Sequence, residues 1–320
     1  MGEANRRKLA RKSPTVGMHR LVILEWLKDD ECRTGARLNA ALLAASKEVP
    51  VEYIECRNAS DVLDEIQRLT ADVVATGNVP ILQIEAHGHE GADGHGVGLS
   101  GPSGEAHDEL LPWAVLAVEL RELNIATRFN LIFIGAACLS DYAISMVESG
   151  SDVSPFIFFV GFEGEVEDTR LLAAMVALHK GTLVDGLSFH ASMELARQCL
   201  DPATETLASF WLPEILRKVG LDAAVIVGDP EMNGDLCMQM LADRLGKGLP
   251  PVAPQVFHRD QASLVPAAIE EVLSNVLAYD RVPENRRRFG LDGNKLAEEA
   301  RRTNHRPSAA ALERAALYRR

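Results

Sequence analysis

Through its first 180 residues the chain alternates short strand-like runs with segments of helical period, and this alternation limits the folds open to it more than any single motif. The runs fall at 21–27, 51–56, 81–86, 131–137 and 156–160. Most are continuously apolar, the pattern of strands buried on both faces. Helical segments lie between them: 35–46, then 61–69 with Asn58 or Ser60 placed to cap it, then one around Trp113, Leu116 and Leu120. Two more follow, around Tyr142, Ile144 and Met146 and at 166–179. Strands alternating with helices assemble into a mostly parallel sheet covered on both faces, so the fold class is α/β, an α/β/α sandwich. Beyond about residue 188 the period is helical, at 207–219, 232–245, 263–277 and 294–302, with only 223–227 strand-like. The chain thus divides into a basic tail at 1–19, an α/β domain at 20–200 and a mainly helical region at 201–320 whose Arg- and Ala-rich end frays.

Hydrophobic residues make up 47% of the 320, enough to bury a sizeable core. The net charge of −13 opposes nucleic-acid binding by the chain as a whole, because phosphate neutralisation needs a basic face. Basic residues crowd together at Arg6, Arg7, Lys8, Arg11, Lys12 and Arg20, in a segment of low hydrophobicity whose tail is expected to be disordered. No apolar run reaches the ~18 residues of a membrane span. The five cysteines (Cys32, Cys56, Cys138, Cys199 and Cys237) form no CxxC pair and are expected to be free thiols. The expectation is a cytoplasmic protein with neither a membrane nor a nucleic acid as partner.

Two of the apolar runs end on reactive side chains. The 81–86 run leads into His87 and Gly88, and the 131–137 run into Cys138. In open parallel sheets the loops leaving the carboxyl ends of the strands form the ligand crevice. A thiol and an imidazole brought there by two strands are the minimum for a cysteine nucleophile and its base. They lie about 50 residues apart, the order of spacing of the caspase His and Cys. A helix amino terminus at Leu139 and Ser140 would favour the Cys138 thiolate. Gly88, lacking a side chain, lets its N–H approach a substrate carbonyl and form an oxyanion hole with the N–H of Cys138. Taken singly, Cys138 reads as a small buried hydrophobe and His87 as a strand-end residue; taken together they read as a site.

The order of these pieces (apolar strand, Ala86-His87-Gly88, Gly-rich segment, amphipathic helix, apolar strand, Ala137-Cys138) resembles the caspase-like cysteine peptidases of clan CD. It is most similar to their bacterial CHAT branch, and the 156–168 stretch is like the strand and helix start that follow the catalytic cysteine there. The resemblance covers about residues 20 to 200. It implies a caspase-like α/β/α sandwich that hydrolyses peptide bonds of specific proteins through a thioester, with Cys138 as nucleophile and His87 as base and acid. It implies no metal or organic cofactor. It also implies regulation by an activating protein partner, in the manner of prokaryotic antiviral-defence and cell-death proteases. The chain departs from caspases proper in Ala136-Ala137-Cys138-Leu139-Ser140, where they carry Gln-Ala-Cys followed by Arg or Gly. The substrate-pocket candidates conflict. Arg33-Thr34-Gly35 resembles the caspase Arg-x-Gly that grips a substrate aspartate, whereas Asp141, Glu163, Glu165 and Asp168 near the same crevice would favour Arg or Lys.

Two other classes fit parts of the sequence. His87, His89 and His95, with Asp93, could hold a metal ion for a hydrolase, in a pattern only loosely like His-x-His-x-Asp-His. A caspase-like scaffold without turnover, serving as a binding or signalling module, is the third reading. The glycines between 88 and 104 are not followed by Gly-Lys-Ser/Thr, so a hairpin or flap over the site is expected there rather than a phosphate loop.

Overall fold

The computed structural model describes residues 20–92, 94–103, 108–148, 152–228, 266–267, 269–309 and 311–312. The tail at 1–19, the 232–245 segment, Asp93, Cys237 and the 313–320 end lie outside the described residues. The chain divides into two compact units, Met1–Ser149 with Ser154–Trp211, and Gly150–Val153 with Leu212–Arg320.

The first unit is built on strands β1 (Arg20–Glu25), β2 (Val51–Glu55), β3 (Pro80–Glu85), β7 (Ile132–Ala136), β8 (Phe158–Glu163) and β9 (Thr206–Trp211). They form one six-stranded sheet in the order β2-β1-β3-β7-β8-β9. Every pairing is parallel except that of β8 with β9. Strands β4 (His87–Glu90), β5 (Gly96–Pro102) and β6 (Asp108–Pro112) make a separate antiparallel sheet. The Gly-rich hairpin expected at 88–104 is thus a three-stranded sheet that begins at His87 itself.

Side-chain alternation explains the three layers. Val22 and Leu24 of β1, Leu82 and Ile84 of β3 and Phe133 of β7 point to one face, where helices α2 (Ala59–Thr76) and α3 (Trp113–Ala126) cover them. Leu21, Ile23, Ile81, Ile132 and Ile134 point to the other. There they pack under α1 (Thr34–Ala45), α5 (Asp168–His179) and α6 (Phe189–Arg197). Asn58 caps α2 by accepting the Asp61 N–H at 2.8 Å, and the helix runs on past residue 69 to a Gly77 in the left-handed region.

Three expectations are corrected. After Cys138 comes a five-residue 3₁₀ turn, Ser140–Ile144, with a four-residue helix α4 (Ser145–Glu148) behind it, rather than one amphipathic helix. The 207–219 segment splits into β9 and the start of helix α7 (Leu212–Gly228). Across the strand pair Phe210 stacks on Phe159 and Trp211 lies tilted against Phe158, with centroids 5.9 and 6.2 Å apart, and this pairing outweighs the helical pattern. The strand-like 223–227 run belongs to α7 instead, continuing the helix that begins at Leu212. In this second unit α7 lies beside α9 (Gly293–Thr303), behind the short α8 (Glu284–Phe289), and Asp222 accepts from the Ser308 hydroxyl at 2.9 Å and meets His305 Nε2 at 2.6 Å. Among the described residues no helix is long and apolar enough to cross a membrane.

Candidate active site

Strand order reverses at β1, since β2 lies on one side of it and β3 on the other; the loops leaving β1 and β3 therefore part and open a crevice at the carboxyl edge of the sheet. A cavity of about 280 Å³ occupies this edge. Its walls include Glu31 and Thr34 from the segment after β1, His87 after β3, Cys138 after β7 and Asp168 at the start of α5. The structure thus brings His87 and Cys138, carried by adjacent parallel strands, into one crevice.

The Cys138 turn is held from several directions. Leu139 is in the left-handed region (φ 55°, ψ 19°), a conformation that a non-glycine residue keeps only where its surroundings enforce it. Here its N–H bonds the Gly164 carbonyl at 3.0 Å. Ser140 is fully buried; its hydroxyl donates to the Gly135 carbonyl at 2.7 Å and accepts the Phe162 N–H at 2.9 Å, tying the turn to β7 and β8. A side chain on Gly135 would press on Ser140, with Cβ atoms 2.8 Å apart. Opposite the turn, a Cβ built on Gly88 would sit 1.6 Å from the Cys138 carbonyl oxygen. The His87–Gly88 and Cys138–Leu139 backbones are therefore in direct contact.

The thiol sulfur accepts the Val166 N–H at 3.4 Å. This backbone donor takes the place of the helix amino terminus that the sequence suggested, because the 3₁₀ turn is too short to supply one. His87 is half-exposed at 49% and its Nε2 lies 3.0 Å from Glu31 Oε2. Among the described residues no hydrogen bond joins the imidazole to the thiol. Burial alone would raise the Glu31 carboxyl, but the Lys28 N–H at 2.9 Å and the His87 ring outweigh it and hold the group below the usual carboxylate range.

The pocket candidates separate. Asp168 lines the crevice with the His and Cys. Arg33 does not: its guanidinium is bound to Glu25 Oε2 at 2.6 Å, Asp29 at 3.1 Å, Glu55 at 2.9 Å and the Tyr53 hydroxyl at 2.8 Å. Partial desolvation opposes the charge, yet Glu25 and Tyr53 leave the guanidinium more basic than an ordinary arginine. Asp141 and Glu163 lie close enough to repel each other, away from the crevice wall. Burial first, and Glu163 second, push the Asp141 carboxyl up. Gly88, the oxyanion candidate, sits against the Cys138 backbone as described. His95 packs its ring 5.1 Å from that of Tyr142, while Asp93 lies outside the described residues. Among the described residues no three His, Cys, Asp or Glu groups converge as a metal site.

Sequence reasoning missed the carboxylates behind the crevice. Glu55, Glu25 and Glu85 end β2, β1 and β3 in one register row across the sheet. Glu25 is fully buried and accepts the Gly35 N–H at 2.7 Å, so it serves the amino end of α1 that the poorly capping Arg33 leaves open. Glu85, also buried, accepts the Thr34 hydroxyl at 2.7 Å and the Gln83 amide at 2.5 Å. A signal was present: three strand-like runs each carry a glutamate near their carboxyl end, Glu25, Glu55 and Glu85, and glutamate is rare inside a core unless paired. Glu31 and Val166 carried no such signal, since their roles depend on loop paths. No protein-family model and no curated protein matches the chain.

Proposed function

We propose that the chain is a caspase-like cysteine endopeptidase, closest in kind to the CHAT branch, that acts on specific protein substrates in a reducing, cytoplasmic setting. The observation that carries this reading is the delivery of His87 and Cys138 to one crevice from adjacent strands at a point of strand-order reversal. In the reaction, His87 takes the Cys138 proton and the thiolate attacks the scissile carbonyl. The N–H groups of Gly88 and Cys138 receive the oxyanion. The C–N bond breaks as His87 returns the proton to the leaving amine, and a thioester remains. Water, deprotonated by His87, then hydrolyses the thioester and the proton returns to sulfur. No step calls on a cofactor.

Among the described residues the crevice wall carries the carboxylates Glu31 and Asp168 and no Lys or Arg, and Arg33 is engaged by three carboxylates. These charges favour a substrate with Arg or Lys before the scissile bond over one with Asp. A second reading, the caspase-like scaffold without turnover, draws support from the missing thiol–imidazole hydrogen bond. An activating protein partner that shifts the His87 or Cys138 loop would reconcile that geometry with catalysis.

Peptide acyloxymethyl ketones ending in Arg or Lys and in Asp, applied to wild type, Cys138→Ala and His87→Ala with peptide mapping of the adduct, separate the readings. Labelling at Cys138 that disappears in both variants and runs about tenfold or more faster for the basic series is expected. Faster labelling by the Asp series would reverse the pocket assignment. If neither series labels Cys138, even with cell extract added as a source of activator, the scaffold reading takes over.

A further inference from the structure

The imidazole of His87 needs a fixed orientation and a defined tautomer to act as a base, and a carboxylate within hydrogen-bond distance of it lies in the segment after β1. Glu31 Oε2 receives the Lys28 N–H at 2.9 Å, while the Glu31 N–H returns a bond to the Lys28 carbonyl at 3.2 Å. This closed turn fixes the carboxylate before any histidine is considered. The same oxygen meets His87 Nε2 at 3.0 Å. Lys28 is in turn tied to Asp108 of β6 at 2.8 Å, so the turn is anchored to the small sheet that His87 begins.

We propose that Glu31 is a positioning residue that holds His87 by Nε2, making a Glu31–His87–Cys138 triad. The inference rests on the thiol-protease reading of the site. An ionised carboxylate accepts a hydrogen bond and cannot donate one, so the neutral ring carries its proton on Nε2 and keeps Nδ1 as the basic nitrogen. Among the described residues Nδ1 has no hydrogen-bond partner and is free to take the Cys138 proton. In that transfer the S–H bond breaks, an Nδ1–H bond forms, and the imidazolium sits beside a carboxylate that remains ionised. The charged groups around the ring in the crevice are Glu31, Asp168 and the Cys138 thiolate. Glu31 is the one that bonds it. The carboxylate also restrains a ring that is otherwise half in solvent.

The test needs no protein substrate. The Cys138 alkylation rate with iodoacetamide is followed from pH 5.5 to 9, by mass spectrometry of the Cys138 peptide, for wild type, Glu31→Gln and His87→Ala. The tautomer of His87 is read in parallel from its ring ¹⁵N shifts. Gln at 31 still accepts the Lys28 N–H, so the local fold is kept; an unchanged melting temperature checks this. Expected are an Nε2–H tautomer in wild type and a drop in alkylation at pH 6.5 of about tenfold in both variants, in Glu31→Gln through loss of the charge beside the imidazolium, with rates converging at high pH where free thiolate dominates. If His87→Ala is slow but Glu31→Gln alkylates as wild type, the dyad stands and the role of Glu31 falls. If His87→Ala also alkylates as wild type, the thiol–imidazole reading fails and takes the triad with it. A wild-type ring protonated on Nδ1 would likewise overturn the proposal.

Discussion

Gly88→Ala is expected to slow labelling of Cys138 by about 100-fold, the scale of loss that a displacement near 1 Å produces in a catalytic geometry. The added methyl would lie 1.6 Å from the Cys138 carbonyl oxygen, far inside van der Waals contact. What it meets is backbone, not the end of a flexible side chain. Neither strand can retreat easily. Cys138 is fixed by the Ser140 and Leu139 bonds to β7 and the Gly164 loop, and His87 pairs with Ser100 on β5. The strain must therefore open the gap between the His87 loop and the Cys138 loop, the distance on which the proposed proton transfer would depend. Stability should fall as well, by about 1–3 kcal/mol as for other overpacked sites. Fluorescence of Trp26 and Trp113 checks that the small sheet survives, because their indole N–H groups bond the Pro102 and Gly96 carbonyls. Wild-type labelling together with wild-type melting would mean that the two loops are not braced against each other.

The layered fold was legible because it follows from apolar periodicity: β1, β2, β3, β7 and β8 each fall within a few residues of a run that is visible in the sequence. The ends of those strands, and so the meeting of His87 and Cys138, were legible for the same reason. What was not legible depends on loops and on pairs distant in sequence. Arg33 looked available for a substrate aspartate, but three of its partners, Glu25, Tyr53 and Glu55, come from β1 and β2, and the row they form exists only once β1 and β2 pair in register. Glu31 reaches His87 across 56 positions through a turn with no distinctive composition. Strand β9 was read as helix because its stability comes from aromatic stacking on β8, a tertiary contact. Local pattern thus specified the layers and the strand tips, while the electrostatics of the crevice came from the register of the sheet.

That register gives the largest expected effect on stability. His179, Gln83, Glu85 and Thr34 form a buried hydrogen-bonded chain directly behind the crevice. Burial pushes the Glu85 carboxyl from 4.5 up to about 7; the Thr34 and Gln83 donors oppose this, and the charges of Glu25 and Asp168 add to it. Burial also pushes His179 from 6.5 down to about 3. Between pH 4.5 and 7 the folded protein holds a proton on Glu85 that the unfolded chain has released. The stability linked to Glu85 is thus fully present below about pH 4.5 and is lost as pH rises through 7, at ~1.4 kcal/mol per unit and about 3 kcal/mol in all. His179 works in the opposite sense. The unfolded chain binds a proton there below pH 6.5 and the folded protein does not, so stability falls as pH drops from 6.5 toward 3. In wild type the two slopes offset each other between about pH 4.5 and 6.5. Glu85→Gln removes one of them. Any mismatch of its amide with the Gln83 amide costs the same at every pH, so the slope carries the test. In urea unfolding from pH 5 to 8, the stability of Glu85→Gln relative to wild type is expected to rise with pH, gaining about 2.5 kcal/mol across the range. A difference that stays constant over those pH values would mean that Glu85 is ionised in the folded protein throughout, its charge held by Thr34 and Gln83 against the row of neighbouring glutamates.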